Sequence, residues 1–171
     1  MPFLVAAVLV GLDQALKLWA VASFPLGGPG DPLIPGAVDL TYVRNTGAAF
    51  GMLRGIDLQL GPVHVDGTFL LGLLSLAVSI WLIQHLARRG AEHGPWMRVA
   101  LTMILAGAIG NMIDRFRLGY VIDMVHVNIG WFDFPVFNLA DALISVGAIL
   151  LLALSLFAPA ASAGAGERPR A

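Results

Sequence analysis

The sequence predicts an all-α integral membrane protein: four transmembrane helices with a small extracytoplasmic β-structure built from the two outer loops. Three observations carry this reading. The 171-residue chain is 58% hydrophobic and only 12% charged, about half the charge of an ordinary soluble domain. Four apolar stretches each have about the twenty residues a helix needs to cross a hydrocarbon core of roughly 30 Å. The two long connections between them contain β-branched, alternating segments. A net charge of −1 argues against a nucleic-acid partner. The absence of cysteine excludes disulfides, thiolate metal ligands and a cysteine nucleophile.

Residues 3–24 form the first expected span, apolar apart from Asp13, Gln14 and Lys17. A cleavable leader is the rival reading, since Ala20 and Ala22 spell A-x-A. No Lys or Arg precedes the run, and charges interrupt it, so the spacing predicts a retained helix. Pro25 to Pro35 stop the helix. Residues 38–43 (VDLTYV) alternate as a strand, RNTG reads as a turn, and HVDG at 64–67 suggests another. Residues 68–87 are the second span, Arg88 to Pro95 a short basic connection, and 96–113 the third span. A second structured loop is expected over 114–137, where YVIDMVHV is strand-like and NIGWFDFP turn-like with interfacial aromatics. Residues 138–157 complete the fourth span. Residues 1–157 thus read as one domain, and 158–171 as a disordered cytoplasmic tail.

Four spans put both termini on one side. Placing that side in the cytoplasm puts Arg88, Arg89, Arg98, Arg168 and Arg170 there, against Arg44, Arg54, Arg115 and Arg117 outside. The count differs by little, but Arg88 and Arg89 crowd a very short loop. Both long loops are therefore expected outside, where Asn45, Asn111, Asp114, Arg115, Asp123, Asn138 and Asp141 can meet.

Asp13 falls mid-span, with Lys17 one turn on along the same face; neither can be left alone in lipid, so they should pair with each other or with the outer cluster. Asn111 and Arg115 share a helical face, and Gly107 and Gly110 permit close helix approach. Asn138 and Asp141 match an N-cap with an acid at N3. Asp123 sits in an apolar strand-like run, where a carboxylate without partners is strongly disfavoured. Two carboxylates that approach at a poorly solvated site share a proton, and one can activate water while the other donates. Asp123 and Asp141 are the best-placed pair; Asp114, with Arg115 and Arg117 beside it, suits a structural role. The histidines are scattered without an H-E-x-x-H pattern, so no metal site is expected. A Lys17 dyad with Ser75 or Ser79 lacks activating surroundings.

Taken together, Asp13-Gln14 with Lys17, RNTGAAF at 44–50, GAIGNMIDR at 107–115, GYVID at 119–123 and FNLAD at 137–141 resemble the ordered motif set of lipoprotein signal peptidases, also called signal peptidase II. Ala106 and Met124 depart from the family pattern. The resemblance implies an aspartyl endopeptidase of the bacterial inner membrane. Such an enzyme removes the signal peptide from diacylglyceryl-modified prolipoproteins, on the N-terminal side of the lipidated Cys. It implies Asp123 and Asp141 as the catalytic dyad. Asn45, Asn111, Arg115 and Asn138 would order the dyad and the substrate backbone, with Asp13 and Lys17 as the first-helix pair. The expected partners are these prolipoproteins and membrane lipid, acting on a monomer without cofactor, metal or nucleic acid. The alternative weighed is a small proton-coupled transporter with Asp13 as the protonation switch, which predicts mid-membrane polar sites and short loops on both sides.

Overall fold

The computed structural model describes residues 1–47, 57–60 and 63–157. The second half of the 44–50 motif, Arg54 and the tail after Phe157 lie outside the described residues. Four helices, α1 (Pro2–Ser23), α2 (Gly67–Arg89), α3 (Pro95–Leu118) and α4 (Leu139–Leu156), are long and apolar enough to cross a membrane. Between them lie β1 (Asp31–Ile34), β2 (Val38–Asn45), β3 (Asp57–Leu60), β4 (Val63–Asp66), β5 (Val121–Ile129) and β6 (Phe132–Phe137). An antiparallel sheet runs β1-β2-β5-β6, and β3 pairs with β4.

The helices pack through small residues, since lipid supplies no hydrophobic drive between apolar faces. A Cβ placed on Gly107 would meet the Ala140 carbonyl oxygen at 2.3 Å, and one on Gly110 the Asp13 carboxylate at 2.7 Å. These glycines therefore bring α1, α3 and α4 within hydrogen-bonding reach of one another. Ala6, Leu82, Leu101, Leu105, Ala106 and Leu143 fill the bundle core. Both departures from the family pattern, Ala106 and Met124, are buried without disturbing it. Large side chains such as Leu4, Val8, Leu74, Ile149 and Leu152 point outward, as a lipid-facing surface requires.

The expected spans recur with two changes, at the end of α3 and ahead of α2. The helix α3 continues to Leu118 before Gly119 (φ 75°) ends it in the left-handed region, so Asp114 and Arg115 lie on a helix and not in a loop. The helix extends because Asp114 is fully paired there. HVDG is not a turn: β4 runs straight into α2, whose first turn Asp66 caps by accepting from Phe69 N at 2.7 Å. The RNTG turn begins at Asn45, whose Oδ1 accepts from Gly47 N at 2.8 Å, with Gly47 at φ 77°. Strands β1 and β3 were not foreseen, and FDFP, read as part of a turn, instead opens β6, which pairs with β5. The β sheet sits at one end of the bundle, where Leu26 beyond α1 bridges to Tyr42 and where β5 follows α3.

Candidate active site

The start of α4 organises the site. Asn138 Oδ1 accepts from Asp141 N at 2.9 Å, and Asp141 Oδ2 accepts from Asn138 N at 3.3 Å, closing a capping box. The rest of the Asn138 amide is turned inward. Its Nδ2 donates to Asp123 Oδ1 at 2.7 Å, to Asn111 Oδ1 at 3.2 Å and to the Ile122 carbonyl at 3.2 Å. One fully buried amide therefore ties Asp123 to Asp141.

Asp123 reaches this point from β5. Val121 to Met124 are all buried, because both faces of the strand are covered where it meets α1 and α3. On β2, Asn45 pairs with Val121; its side chain thus lies diagonally across from Asp123, and Nδ2 donates to Asp123 Oδ2 at 2.9 Å. Burial, and after it the neighbouring Asp141 charge, push the Asp123 carboxyl up from 3.8 to about 7, while hydrogen bonds from Asn45 and Asn138 pull it partly back.

Asp141 Oδ1 accepts from Asn111 Nδ2 at 2.7 Å. The Asn111 amide can face only one way, because its Oδ1 accepts from Lys17 Nζ at 3.1 Å and from Asn138. Lys17 spends its other donors on Asp13 Oδ2 at 2.9 Å and Asp114 Oδ2 at 3.0 Å, and all three side chains are fully buried. Asp13 Oδ1 in turn accepts from Ala140 N at 2.9 Å, a second carboxylate on the amino terminus of α4. Asp114 also accepts from Ile122 N at 3.1 Å and from Gln14 Nε2 at 3.1 Å. Lys17, and not Arg115 or Arg117, is the cation that holds Asp114.

Arg115 is within electrostatic reach of Asp141 and Asp123, yet it pairs with neither. Its Nη1 lies 3.5 Å from Ser75 Oγ, and its buried Nε has no partner among the described residues. These contacts join every expected site residue but Arg115, which lies within electrostatic reach of both acids without touching them. Sequence reasoning assigned no role to Gln14, which also donates to the Gly110 carbonyl at 3.2 Å; its signal was its place beside Asp13 on the face of Lys17. It also missed Tyr42 and Tyr120, which cradle Arg44: Arg44 Nε donates to Tyr42 Oη at 2.9 Å, and its guanidinium sits 4.7 Å from the Tyr120 ring centre.

Competing chemistries find no footing here. Among the described residues no three His, Cys, Asp or Glu converge as metal ligands. Ser75 and Ser79 donate to the carbonyls of Leu71 and Ser75, one turn back in their own helix, far from a role with the fully engaged Lys17. Asp13 is locked by Lys17 and Ala140, which leaves it no freedom as a transport switch.

A bundle of membrane-capable helices with a buried and a half-buried carboxylate, both amide-held, at its sheet-covered end defines a membrane-bound enzyme of the aspartic peptidase class. The family model for signal peptidase (SPase) II matches residues 5–157. The lipoprotein signal peptidase of Streptococcus pyogenes serotype M1 is 41% identical over 145 residues, 85% of this chain and 86% of that protein. Two solved structures, each described as a bacterial membrane enzyme, are similar throughout. One has a TM-score of 0.76 at 29% identity, covering 98% of this chain and 94% of its own. The other has a TM-score of 0.75 at 30% identity, covering 92% and 94%. The chain belongs to the signal peptidase II family.

Proposed function

We propose that Asp123 and Asp141 are the catalytic dyad of a peptidase that cleaves diacylglyceryl-modified prolipoproteins on the N-terminal side of the lipidated Cys. The observation that carries this reading is Asn138, whose side-chain amide donates to the Asp123 carboxylate and whose backbone N–H donates to the Asp141 carboxylate, holding both acids at one point. Asp123, raised to about 7, keeps the shared proton. Asp141, at the positive end of the α4 dipole and accepting from Asn111, is placed to act as the general base. In the reaction Asp141 takes a proton from water as the water attacks the scissile carbonyl. Asp123 polarises the carbonyl oxygen, and the leaving amine is then protonated by the pair. Arg115, within electrostatic reach of both acids, orders the substrate backbone through its guanidinium, while Asn45 and Asn111 keep the two carboxylates aimed.

The same reading places the β1-β2-β5-β6 sheet outside the membrane, where it covers the substrate peptide while its acyl chains stay in lipid. Both termini are then cytoplasmic, and residues 1–157 act as one monomeric domain. Because the chain has no cysteine, a single cysteine at Asp31 or at Gly90 can be tested with an impermeant maleimide on intact cells. Labelling at position 31 alone is the expected result; labelling at 90 alone would reverse the topology.

For the dyad, Asp123→Asn and Asp141→Asn should each lower cleavage of a purified diacylated prolipoprotein by about 10³-fold or more, with membrane insertion unchanged. Near-normal turnover by either variant would overturn the assignment.

A further inference from the structure

We propose that the turn between α2 and α3 holds an anionic phospholipid, with its phosphate on Arg88 and Arg89 and an acyl chain along one face of α2. This is independent of the catalytic pair and lies at the end of the bundle away from the sheet. Leu74, Val78, Trp81, His85 and Arg88 follow one another at alternating steps of four and three in α2, so they form one continuous face. Leu74 and Trp81 are 60% and 58% exposed. The stripe is apolar for two turns, aromatic at Trp81, and cationic at its end, the order a phospholipid presents from chain to headgroup.

The headgroup end is built from several partners. The Trp81 ring stacks on His85 at 5.1 Å between centres, and His85 stacks on His93 at 4.9 Å. The two imidazoles also share a hydrogen bond, Nε2 to Nε2, at 2.7 Å. This wall faces a cavity of about 170 Å³ lined by Trp81, Gln84, His85, Arg88 and Arg89. Both guanidiniums are exposed, and neither meets a carboxylate among the described residues. Among the described residues Glu92, the acid of the turn, engages through its backbone N–H to the Arg89 carbonyl and forms no salt bridge. Two unpaired guanidiniums, two imidazoles and an amide call for an anion. The apolar run that leads to them supplies the rest of a lipid, which a soluble phosphate would leave unused. A zwitterionic headgroup would bring its own cation against the arginines.

The wild-type chain and variants can be compared in nanodiscs of equimolar phosphatidylglycerol and phosphatidylcholine, with co-purifying lipid counted by native mass spectrometry. Wild type should retain phosphatidylglycerol over phosphatidylcholine. At the strength typical of a basic residue at a membrane surface, Arg88→Gln and Arg89→Gln should each reduce that preference roughly fivefold, and together about 25-fold. Trp81→Ala should weaken retention of both lipids. Arg98→Gln, at the same end of the bundle but beside a different groove, should leave the preference unchanged. Equal retention by the double variant would overturn the site. So would a loss in Arg98→Gln as large as in the double variant, which would mean general surface attraction. Glycerophosphoglycerol, the headgroup without chains, should not compete; full competition would make this a soluble-phosphate site and overturn the lipid assignment.

Discussion

Two pairs of acids, all buried but the half-buried Asp141, lie side by side in this protein and are held by opposite means. Asp13 and Asp114 share the ammonium of Lys17, each within 3.0 Å; their other oxygens take N–H donors from Ala140 and Gln14, and Asp114 Oδ2 also accepts from Ile122 N. Asp123 and Asp141 touch no cation among the described residues; amides from Asn45, Asn138 and Asn111 and the α4 cap hold them. A carboxylate opposite a buried ammonium is committed to its charge, because losing one partner strands the other. A carboxylate held only by neutral donors keeps its geometry whether or not it carries a proton. The first arrangement builds a scaffold and the second leaves a proton free to move. Asn111 joins them: Lys17 fixes its oxygen, and so its nitrogen must face Asp141.

The sharpest way to break this contrast is to remove the shared cation. Lys17→Met leaves Asp13 and Asp114 facing each other without compensation and should cost about 3–5 kcal/mol of stability. Thermal unfolding in detergent would show it, and Lys17→Arg should restore only part, since a planar fork cannot match three acceptors set for an ammonium. A stable Lys17→Met protein would mean that the two acids carry a proton between them, erasing the distinction.

The second test uses pH. Asp123 binds its proton more tightly in the folded protein, at about 7 against an ordinary 3.8. Between those values the folded state holds more protons than the unfolded one, so stability falls as pH rises from about 4 through 7. Asp123→Asn removes that slope. Relative to wild type, its Tm should therefore rise steadily with pH, to a gain bounded by about 4 kcal/mol above pH 7. A constant loss from turning an amide nitrogen toward Asn45 or Asn138 is superimposed at every pH. Asp114→Asn should instead lower Tm across the range. A flat difference curve for Asp123→Asn would show that its carboxyl is ionised throughout.

Next in size is the link between the groups. Asn111→Ala removes one donor from Asp141 and one acceptor from Lys17, and should lower kcat by about 10- to 100-fold, or 1–3 kcal/mol. Asn111→Asp, which keeps the acceptor for Lys17 but offers no N–H to Asp141, should lose as much activity while retaining more stability. If both variants lose only stability, Asn111 belongs wholly to the scaffold.

The helices were legible because lipid imposes a length and a composition, and no tertiary partner is needed to read them. The proposed catalytic pair was legible in part: Asp123 stood out as an acid in an apolar strand, and the capping pattern marked Asn138 and Asp141. Which acids touch was not. That Asp114 belongs to Lys17 depends on α3 running to Leu118, four residues beyond Asp114, and on α1 crossing it at Gly110. Strand β1 was hidden because Pro32 sits within it, allowed only since it lies at the sheet edge. The cradle of Tyr42, Arg44 and Tyr120 depends on the β2–β5 register, which a bulge between Leu40 and Val43 shifts and no local pattern announces.

The smallest expected effect lies where the same chemistry meets water. His126 Nε2 and Asp133 Oδ1 lie 2.6 Å apart across the β5–β6 hairpin, shorter than any contact of Lys17, but the side chains are 28% and 72% exposed. Solvent screens such a pair, and it exists as an ion pair only while His126 holds its second proton. Asp133→Asn should change stability by no more than about 0.5 kcal/mol. The measurement is a paired thermal melt in detergent and in nanodiscs. A small effect in both keeps distance subordinate to burial as the determinant of what an ion pair contributes. A loss of about 2 kcal/mol confined to nanodiscs would instead mean that the hairpin lies against the bilayer, out of water, where the pair would gain the weight of its buried counterparts.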